Sequence, residues 1–186
     1  ETIFLRHVAG LSTPDGVIGA YVHNKLAPDV GRAAALVALS GGDEETLAGL
    51  APKLAMHIVG TAPLWTSVAD VPAALKDQKR TQPAKWVDRT DPGQGEIDRT
   101  IEARLNRFYA MTVLLRQPYI VDPGTTVADM MGAVTGTATR VEGFVRLRVG
   151  EDAAHDAVVA QAAELEWTFG NDWSNEIPSG LLEVGE

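Results

Sequence analysis

The residue types that carry most protein chemistry are few in this sequence, and their spacing matches no common catalytic or metal-binding pattern. There are four histidines, at positions 7, 23, 57 and 155, and there is no cysteine. No two histidines lie three or four residues apart, the spacing that places two metal ligands on one helix face. The glycines of SGGDEE (40–45) are not followed by the Gly-Lys-Ser/Thr of a phosphate-binding loop. We therefore expect no metal, no other cofactor and no enzymatic activity.

Charge is distributed unevenly along the 186 residues, and charge and hydropathy together argue against nucleic acid and membrane as partners. The net charge of −9 comes from residues 151–186, which hold nine acidic side chains and neither lysine nor arginine. Nucleic-acid binding needs clustered cations. The densest group of cations here is the short segment KDQKR (76–80), so we expect no nucleic-acid partner. No apolar run approaches the roughly 20 residues of a membrane helix, so we expect no membrane insertion. The acidic tail is interpreted either as a solvated surface or as a complement to a basic patch on a partner.

Hydrophobic patterning in the first half of the chain predicts strands followed by helices. Alternation and turn residues predict three strands, at 2–9, 17–24 and 32–40. A helix is then expected because apolar residues recur at three- and four-residue spacing, at Leu47, Leu50, Leu54 and Ile58. We expect Pro52 to split or kink this helix, and Gly60 and Pro63 to end it. A second, short helix is predicted at 68–79.

The second half of the chain predicts helices and one returning strand. Residues 81–95 hold two prolines and two glycines, which indicates an irregular segment. A helix at 96–115 has its apolar stripe at Ile97, Ile101, Leu105 and Phe108. The loop QPYIVDPGTT (117–126) leads into a short helix that Asp122 or Thr125 is expected to cap. A strand at 139–150 alternates, with one face formed by Val141, Gly143, Val145, Leu147 and Val149.

The order of these elements predicts an α+β fold, with a last helix at about 152–168. We expect an antiparallel sheet of three to four strands packed with helices, and not a βαβ series. His57, inside the apolar run AMHIVGTAPLW (55–65), has two interpretations on its own. A histidine on an apolar helix face is commonly a packed and hydrogen-bonded core residue. The alternative is that it contacts another protein.

Six segments of the chain resemble the elongation factor Ts family, the nucleotide exchange factors of elongation factor Tu. They are YVHN (21–24), RAAALVALSG (32–41), LAMHIVGTAPLW (54–65), IEARLNRFY (101–109), LLRQPYIVDPGTTVADMM (114–131) and VEGFVRLRVGE (141–151). The combination of Ala-Met-His, Gln-Pro-aromatic and Gly-Phe-Val-Arg is specific, and the resemblance covers about residues 1–152. The forms YVH and HIVGTAPL look closer to mitochondrial members than to typical bacterial ones.

The resemblance implies an elongation factor Ts core fold and a function in protein binding. It implies that His57 lies on the partner-facing surface, Ala33 and Ala34 at a partner-facing strand end, and Val127 in a contact loop. The implied partner is elongation factor Tu or another protein subunit, in mitochondria, with a plastid or the bacterial cytoplasm as the alternative. The chain is expected to have four parts. Residues 1–80 form the first part of the core lobe, and residues 81–95 form an irregular linker in place of a coiled coil. Residues 96–152 complete the lobe, and residues 153–186 form a C-terminal helix and an acidic tail.

The chain also departs from the family pattern. Family members carry an N-terminal helical domain and a Thr-Asp-Phe-Val segment whose phenylalanine wedges into the GTPase near its magnesium site, and this sequence contains neither. We expect Pro83 and Pro92 to shorten or break the coiled coil of bacterial members, and EWTFGNDWSNEIPSGLLEVGE (166–186) matches no family segment. Two functions therefore stay open. One is a guanine-nucleotide exchange factor-type protein that binds elongation factor Tu; the other is an elongation factor Ts-derived structural subunit of a larger organellar assembly without exchange activity.

Overall fold

A three-stranded sheet, a small hairpin and four helices make up the part of the chain that the computed structural model describes, residues 5–81, 94–136 and 138–151. The elements are β1 (Gly16–Ala27), β2 (Val30–Ser40), α1 (Glu44–Thr61), α2 (Ala73–Thr81), α3 (Gln94–Thr112), β3 (Pro118–Tyr119), β4 (Asp122–Thr126), α4 (Val127–Thr135) and β5 (Arg140–Arg148). Single 3-10 turns lie at Val68–Asp70 and Leu114–Arg116. These elements confirm the predicted α+β class. Within the same ranges, no helix has the length and apolarity needed to cross a membrane.

The larger sheet is antiparallel, and its strand order β1-β2-β5 makes β2 the central strand. β3 and β4 form a separate two-stranded hairpin. The strand predicted at 2–9 is wrong for the residues of it that are described, because residues 5–13 have no regular structure and Leu5 and Val8 are exposed. Apolar alternation stabilises a strand only when it pairs with a neighbour and buries one face, and this segment does neither.

Helix α1 covers one face of the sheet with the predicted apolar stripe. Leu47, Leu50, Leu54 and Ile58 are buried in one core with Ala33, Ala35, Val37 and Leu39 of β2. The helix begins after Asp43, whose carboxylate accepts a hydrogen bond from the Thr46 amide at 2.9 Å. Pro52 does not split the helix, which continues through it, so that part of the prediction is wrong, whereas a kink at Pro52 stays a prediction. It lies on the exposed side, and the stripe on both sides of it packs into the same core, which offsets the lost backbone hydrogen bond.

A β-bulge in β5 corrects the predicted facing of that strand. Val141 pairs with Leu39, but Gly143 pairs with Ala38, so β5 has one extra residue at this point. The extra residue reverses the alternation. Val141 and Phe144 consequently pack against the core beneath α1. The prediction that every second residue from Val141 to Val149 shares one face is therefore wrong.

A second core lies between α2, α3 and the segment that follows α1. It contains Trp65, Val71, Leu75, Leu105, Phe108, Tyr109 and Val113. Burial of Leu105 and Phe108 confirms the central part of the predicted α3 stripe, whereas Ile97 at its start is exposed. The Trp65 amide donates to the Thr112 carbonyl at 3.2 Å, and the Leu114 amide donates to the Trp65 carbonyl at 2.8 Å. These two bonds place the C-terminal end of α3 beside the segment that follows α1.

Two parts of the sequence prediction fall largely or wholly outside the described residues. The irregular segment expected at 81–95 is described only at Thr81, which ends α2, and at 94–95, which begin α3. The helix expected at 152–168 is not described. The division of the chain into four parts stays a prediction.

Candidate protein-binding site

His57 lies one turn before the end of α1, where its side chain is fully buried. The Ile120 amide donates a hydrogen bond to Nδ1 at 3.2 Å, which leaves the ring proton on Nε2. Nε2–H in turn donates to Oε1 of Gln117 at 3.0 Å. The imidazole ring also packs against the Tyr119 ring, with a centroid separation of 5.8 Å. Both ring nitrogens are therefore satisfied inside the protein.

Gln117 is the second buried polar residue of the site, and it ties α1, α3 and α4 together. Its Nε2 donates to the Met111 carbonyl at 2.9 Å and to the Thr61 carbonyl at 3.3 Å. Its own carbonyl accepts a bond from the Val127 amide at 3.0 Å. The Thr61 hydroxyl lies 2.9 Å from both Gln117 Oε1 and the His57 carbonyl. The side chain of Gln117 therefore joins the ends of α1 and α3, and its backbone carbonyl joins them to the start of α4.

The electrostatics of the site favour an uncharged histidine. Burial lowers the pKa of His57 below the usual 6.5, and the hydrogen bond to Gln117 opposes this shift only in part. A neutral imidazole whose donor and acceptor are both occupied has no proton or lone pair left for acid–base catalysis or metal binding. The hydrogen bonds of His57 therefore hold the Ile120 backbone and the Gln117 side chain in place, which is a structural function.

The four residues that the resemblance implies as contacts do not form an exposed patch in this chain. His57, Ala33 and Val127 are buried, and Ala34 is half-buried. The hydrogen bonds do bring two of them together, since Gln117 bonds to both His57 and the Val127 amide. Ala33 belongs to the same apolar core as Val127. Their contact function stays a prediction. The imidazole of His57 is a packed and hydrogen-bonded core group, which is the first of the two interpretations that the sequence allowed.

The β3–β4 turn that follows Gln117 is built differently from the sequence prediction. Thr126, and neither Asp122 nor Thr125, caps α4, and its hydroxyl accepts a hydrogen bond from the Asp129 amide at 3.2 Å. The Asp122 carboxylate instead accepts bonds from the Thr125 hydroxyl at 2.9 Å and the Gly124 amide at 3.3 Å. Aspartate therefore closes the turn, a local bond that competes with capping.

Three exposed apolar residues belong to, or directly follow, the backbone segments bonded to this buried cluster, and sequence reasoning missed them as site residues. We call them the apolar rim: Met111, Ile120 and Val121, which are 45%, 40% and 65% exposed. The Met111 carbonyl and the Ile120 amide are the groups bonded to Gln117 and His57. The available signal was the apolar pair Ile120-Val121 directly before Asp-Pro-Gly, in the turn of the hairpin, where polar residues are usual.

The part of the chain that is described holds no group of three or more histidine, aspartate and glutamate side chains able to bind a metal ion. The expectation that the protein binds no metal is left to elemental analysis. On the described surface near His57, the exposed apolar side chains of the rim are the groups that point to a ligand, and such side chains suit a protein partner.

Comparisons with known proteins identify the family of the chain. The profile of the family described as Elongation factor TS matches residues 1–151. Similar proteins include Elongation factor Ts of Caulobacter vibrioides, 33% identical over 172 residues, which are 89% of this chain and 55% of that protein. Elongation factor Ts of Bartonella bacilliformis is 32% identical over 85% of this chain and 53% of its own length, and that of Rhizobium etli is 33% identical over 81% and 50%. The chain thus spans about half the length of these relatives, all of them bacterial, and it belongs to the elongation factor Ts family.

Proposed function

We propose that this chain binds elongation factor Tu in translation elongation, through the binding surface of a guanine-nucleotide exchange factor-type protein. Family membership supports the partner, and the observation that carries the location is the apolar rim held on the buried His57–Gln117 cluster. An exchange factor performs no covalent chemistry. It binds the GTPase, and by reciprocity the bound factor weakens the binding of the nucleotide as much as the nucleotide weakens the binding of the factor. A rigid contact surface is consistent with that activity.

The rim has the properties of a preorganised contact. Ile120 and Val121 are exposed apolar side chains at the turn of the hairpin, and the adjoining backbone is bonded to buried groups. A surface that is already ordered loses less conformational entropy on binding than a mobile loop of the same composition. Hence the ordered apolar rim contributes more to the free energy of binding than the same side chains would in a mobile loop.

His57, Ala33 and Val127 are proposed to support the partner surface from beneath. His57 fixes the Ile120 amide, and the Val127 amide is bonded to Gln117, so both act on the hairpin and on the start of α4. Ala33 lies in the core that these elements share. Substituting any of the three would weaken partner binding by moving the rim, even though the side chains themselves are covered.

The cellular setting that we propose is the bacterial cytoplasm. The relatives described above are bacterial, and they give no support to the mitochondrial expectation drawn from the forms YVH and HIVGTAPL. The alternative of a structural subunit without exchange activity would use the same binding surface. Measurement of nucleotide release separates the two functions.

The binding proposal is tested by placing a charge on the rim. We expect Val121→Asp to weaken binding to nucleotide-free bacterial elongation factor Tu at least about tenfold, or about 1.4 kcal/mol, because the carboxylate must be desolvated at the contact. Isothermal titration calorimetry measures the affinity, and thermal unfolding checks that the fold is intact.

The matched control is Val134→Asp, the same change at a residue of α4 that is 52% exposed and lies outside the rim. It should leave the affinity within about twofold. Equal losses from both variants, or unchanged binding by Val121→Asp, would place the contact elsewhere on the molecule.

A further inference from the structure

The C-terminal end of α1 leaves one of its buried carbonyl groups without a backbone donor. The last carbonyls of a helix have no partner inside the helix and need one from outside it. The Ala62 amide bonds to the Ile58 carbonyl at 3.1 Å, with Ala62 in the left-handed conformation that commonly ends a helix. The Val59 carbonyl is next in line for the amide of position 63, but Pro63 has no amide hydrogen. Because Val59 is only 8% exposed, this carbonyl would cost free energy if it were left without a donor.

Arg146 of β5 supplies that donor. Its Nε donates to the Val59 carbonyl at 3.3 Å, and only 13% of the arginine side chain is exposed. The β-bulge in β5 makes the contact possible, because it pairs Arg146 with Ala35, on the face of the sheet that α1 covers. Without the extra residue, the alternation that starts at Val141 would turn Arg146 to the other face.

A carboxylate holds the guanidinium group of Arg146 in this position. The terminal nitrogens donate to the two carboxylate oxygens of Glu151, at 2.5 and 3.4 Å. Such a forked ion pair restricts the orientation of the guanidinium plane more than a single bond does. Arg148 also reaches Glu151, at 3.5 Å, but its side chain is 59% exposed. Arg146 thus places a cation at the C-terminal end of α1, whose last turn has no basic residue of its own, and the helix dipole favours a cation there.

The last turn of α1 is therefore held from two sides. From the hairpin side, Gln117 Nε2 donates to the Thr61 carbonyl at 3.3 Å. From the sheet side, Arg146 donates to the Val59 carbonyl. Two donors at different carbonyls of one turn restrict its rotation as well as its distance from the sheet, whereas a single donor would leave it free to pivot. Loss of Arg146 would let the turn move relative to the sheet while Gln117 still ties it to the hairpin.

We propose that Arg146 is a positioning residue for partner binding, because it fixes the helix end that carries His57. Val59 lies two residues after His57, in the same turn of α1. His57 in turn accepts the hydrogen bond from the Ile120 amide, which belongs to the apolar rim. A displaced end of α1 would carry the imidazole with it and move the rim. The effect on binding rests on the proposed function, whereas the effect on the Ile120 amide does not.

The positioning is tested by the amide resonance of Ile120, which reports on the bond to His57. We expect Arg146→Met to shift this resonance by more than its line width in a proton–nitrogen correlation spectrum, because methionine has a similar length but no donor and no charge. The matched control is Arg148→Met, on the same strand and with the same carboxylate partner, but at an exposed position. It should leave the Ile120 resonance in place. An unshifted resonance in Arg146→Met, or equal shifts in the two variants, would overturn the proposal.

Affinity for nucleotide-free bacterial elongation factor Tu tests the consequence for binding. We expect Arg146→Met to weaken it about tenfold in isothermal titration calorimetry. Arg146→Lys should weaken it less, because lysine keeps a cation and a donor at the helix end but not the fork. This conservative variant also carries both measurements if the methionine variant does not fold.

A second control separates positioning from stability. Leu47 is buried at the start of α1, at the opposite end from Val59, so Leu47→Ala should lower the melting temperature at least as much as Arg146→Met. It should nevertheless leave the affinity within about twofold of wild type. An equal loss of affinity in Leu47→Ala would mean that Arg146 acts through stability alone, which contradicts the proposal.

Failure of this inference and failure of the proposed function give different results. A wild-type chain that does not bind the GTPase contradicts the proposed function, and the Ile120 resonance still decides whether Arg146 positions α1. A wild-type chain that binds, together with an Arg146→Met protein of equal affinity, overturns the function of Arg146 in binding and leaves the proposed function in place.

Discussion

At the scale of single residues, the hydrogen-bonded pair of His57 and Gln117 decides how the candidate site is built. A buried polar group costs about 1–3 kcal/mol when a partner is lost. Both ring nitrogens of His57 and both side-chain groups of Gln117 are bonded, so the pair is fully satisfied. A satisfied cluster specifies one arrangement of the chain ends around it. The partner surface is therefore predicted to be as well ordered as the core beneath it.

This pair makes stability dependent on pH through His57. Burial lowers the pKa of the folded imidazole below the 6.5 of the unfolded chain. Below about pH 6.5 the unfolded state consequently binds a proton that the folded state does not, and stability falls as the pH falls. We expect urea unfolding to show wild type losing more stability between about pH 8 and about pH 5 than His57→Asn, which does not titrate.

The asparagine variant also tests the structural part of the argument. At about pH 8 it should be less stable than wild type by about 1–3 kcal/mol, because one of the two bonds to Gln117 and Ile120 is lost. Groups that titrate in both proteins cancel in the comparison. Parallel pH profiles for the two proteins would show that the imidazole is not kept neutral by the fold.

At the scale of elements, the contact between α1 and the sheet depends on a glycine. Gly19 of β1 faces α1, and a Cβ built on it would lie 2.3 Å from the Ala51 carbonyl carbon and 2.5 Å from the Ala51 side chain. Contacts this short require the helix or the strand to move. Glycine is needed at this position for close approach, and its backbone freedom is not used.

A pair of glycine substitutions tests this packing. Gly19→Ala should lower the free energy of unfolding by about 1–3 kcal/mol, because it overpacks the helix–sheet contact. Gly49→Ala lies within α1, where a Cβ meets nothing within 4 Å, and should raise it by about 0.5–1 kcal/mol through helix propensity. Urea unfolding of both variants gives the two signs. A stabilised Gly19→Ala protein would mean that α1 does not lie this close to β1.

The elements also show what sequence patterns can and cannot specify. The stripe of α1 was predictable because its leucines repeat with the helical period and all face one sheet. The facing of β5 was not, because the extra residue at Glu142–Gly143 is a property of its pairing with β2. The site followed the same division. His57 was identified from its place in the apolar run, whereas its bonds to Gln117 and Ile120 join residues about sixty positions apart, which no local pattern encodes.

At the scale of the whole molecule, the exchange activity of the 186-residue chain depends on whether it distinguishes the empty from the nucleotide-bound GTPase. Acceleration of GDP release requires tighter binding to the empty GTPase than to the nucleotide-bound form, since a ligand with equal affinity for both states shifts nothing. The chain lacks the Thr-Asp-Phe-Val segment that the family resemblance assigns to disturbing the nucleotide site. We therefore expect it to bind bacterial elongation factor Tu through the rim while barely changing the rate at which a fluorescent GDP is released in stopped-flow measurements. Elongation factor Ts of Caulobacter vibrioides serves as the full-length comparison, and its release rate sets the scale. Strong acceleration by this chain would show that the segment is dispensable. Absence of binding to either form of the GTPase would instead contradict the proposed function, so the two failures are distinguishable in one experiment.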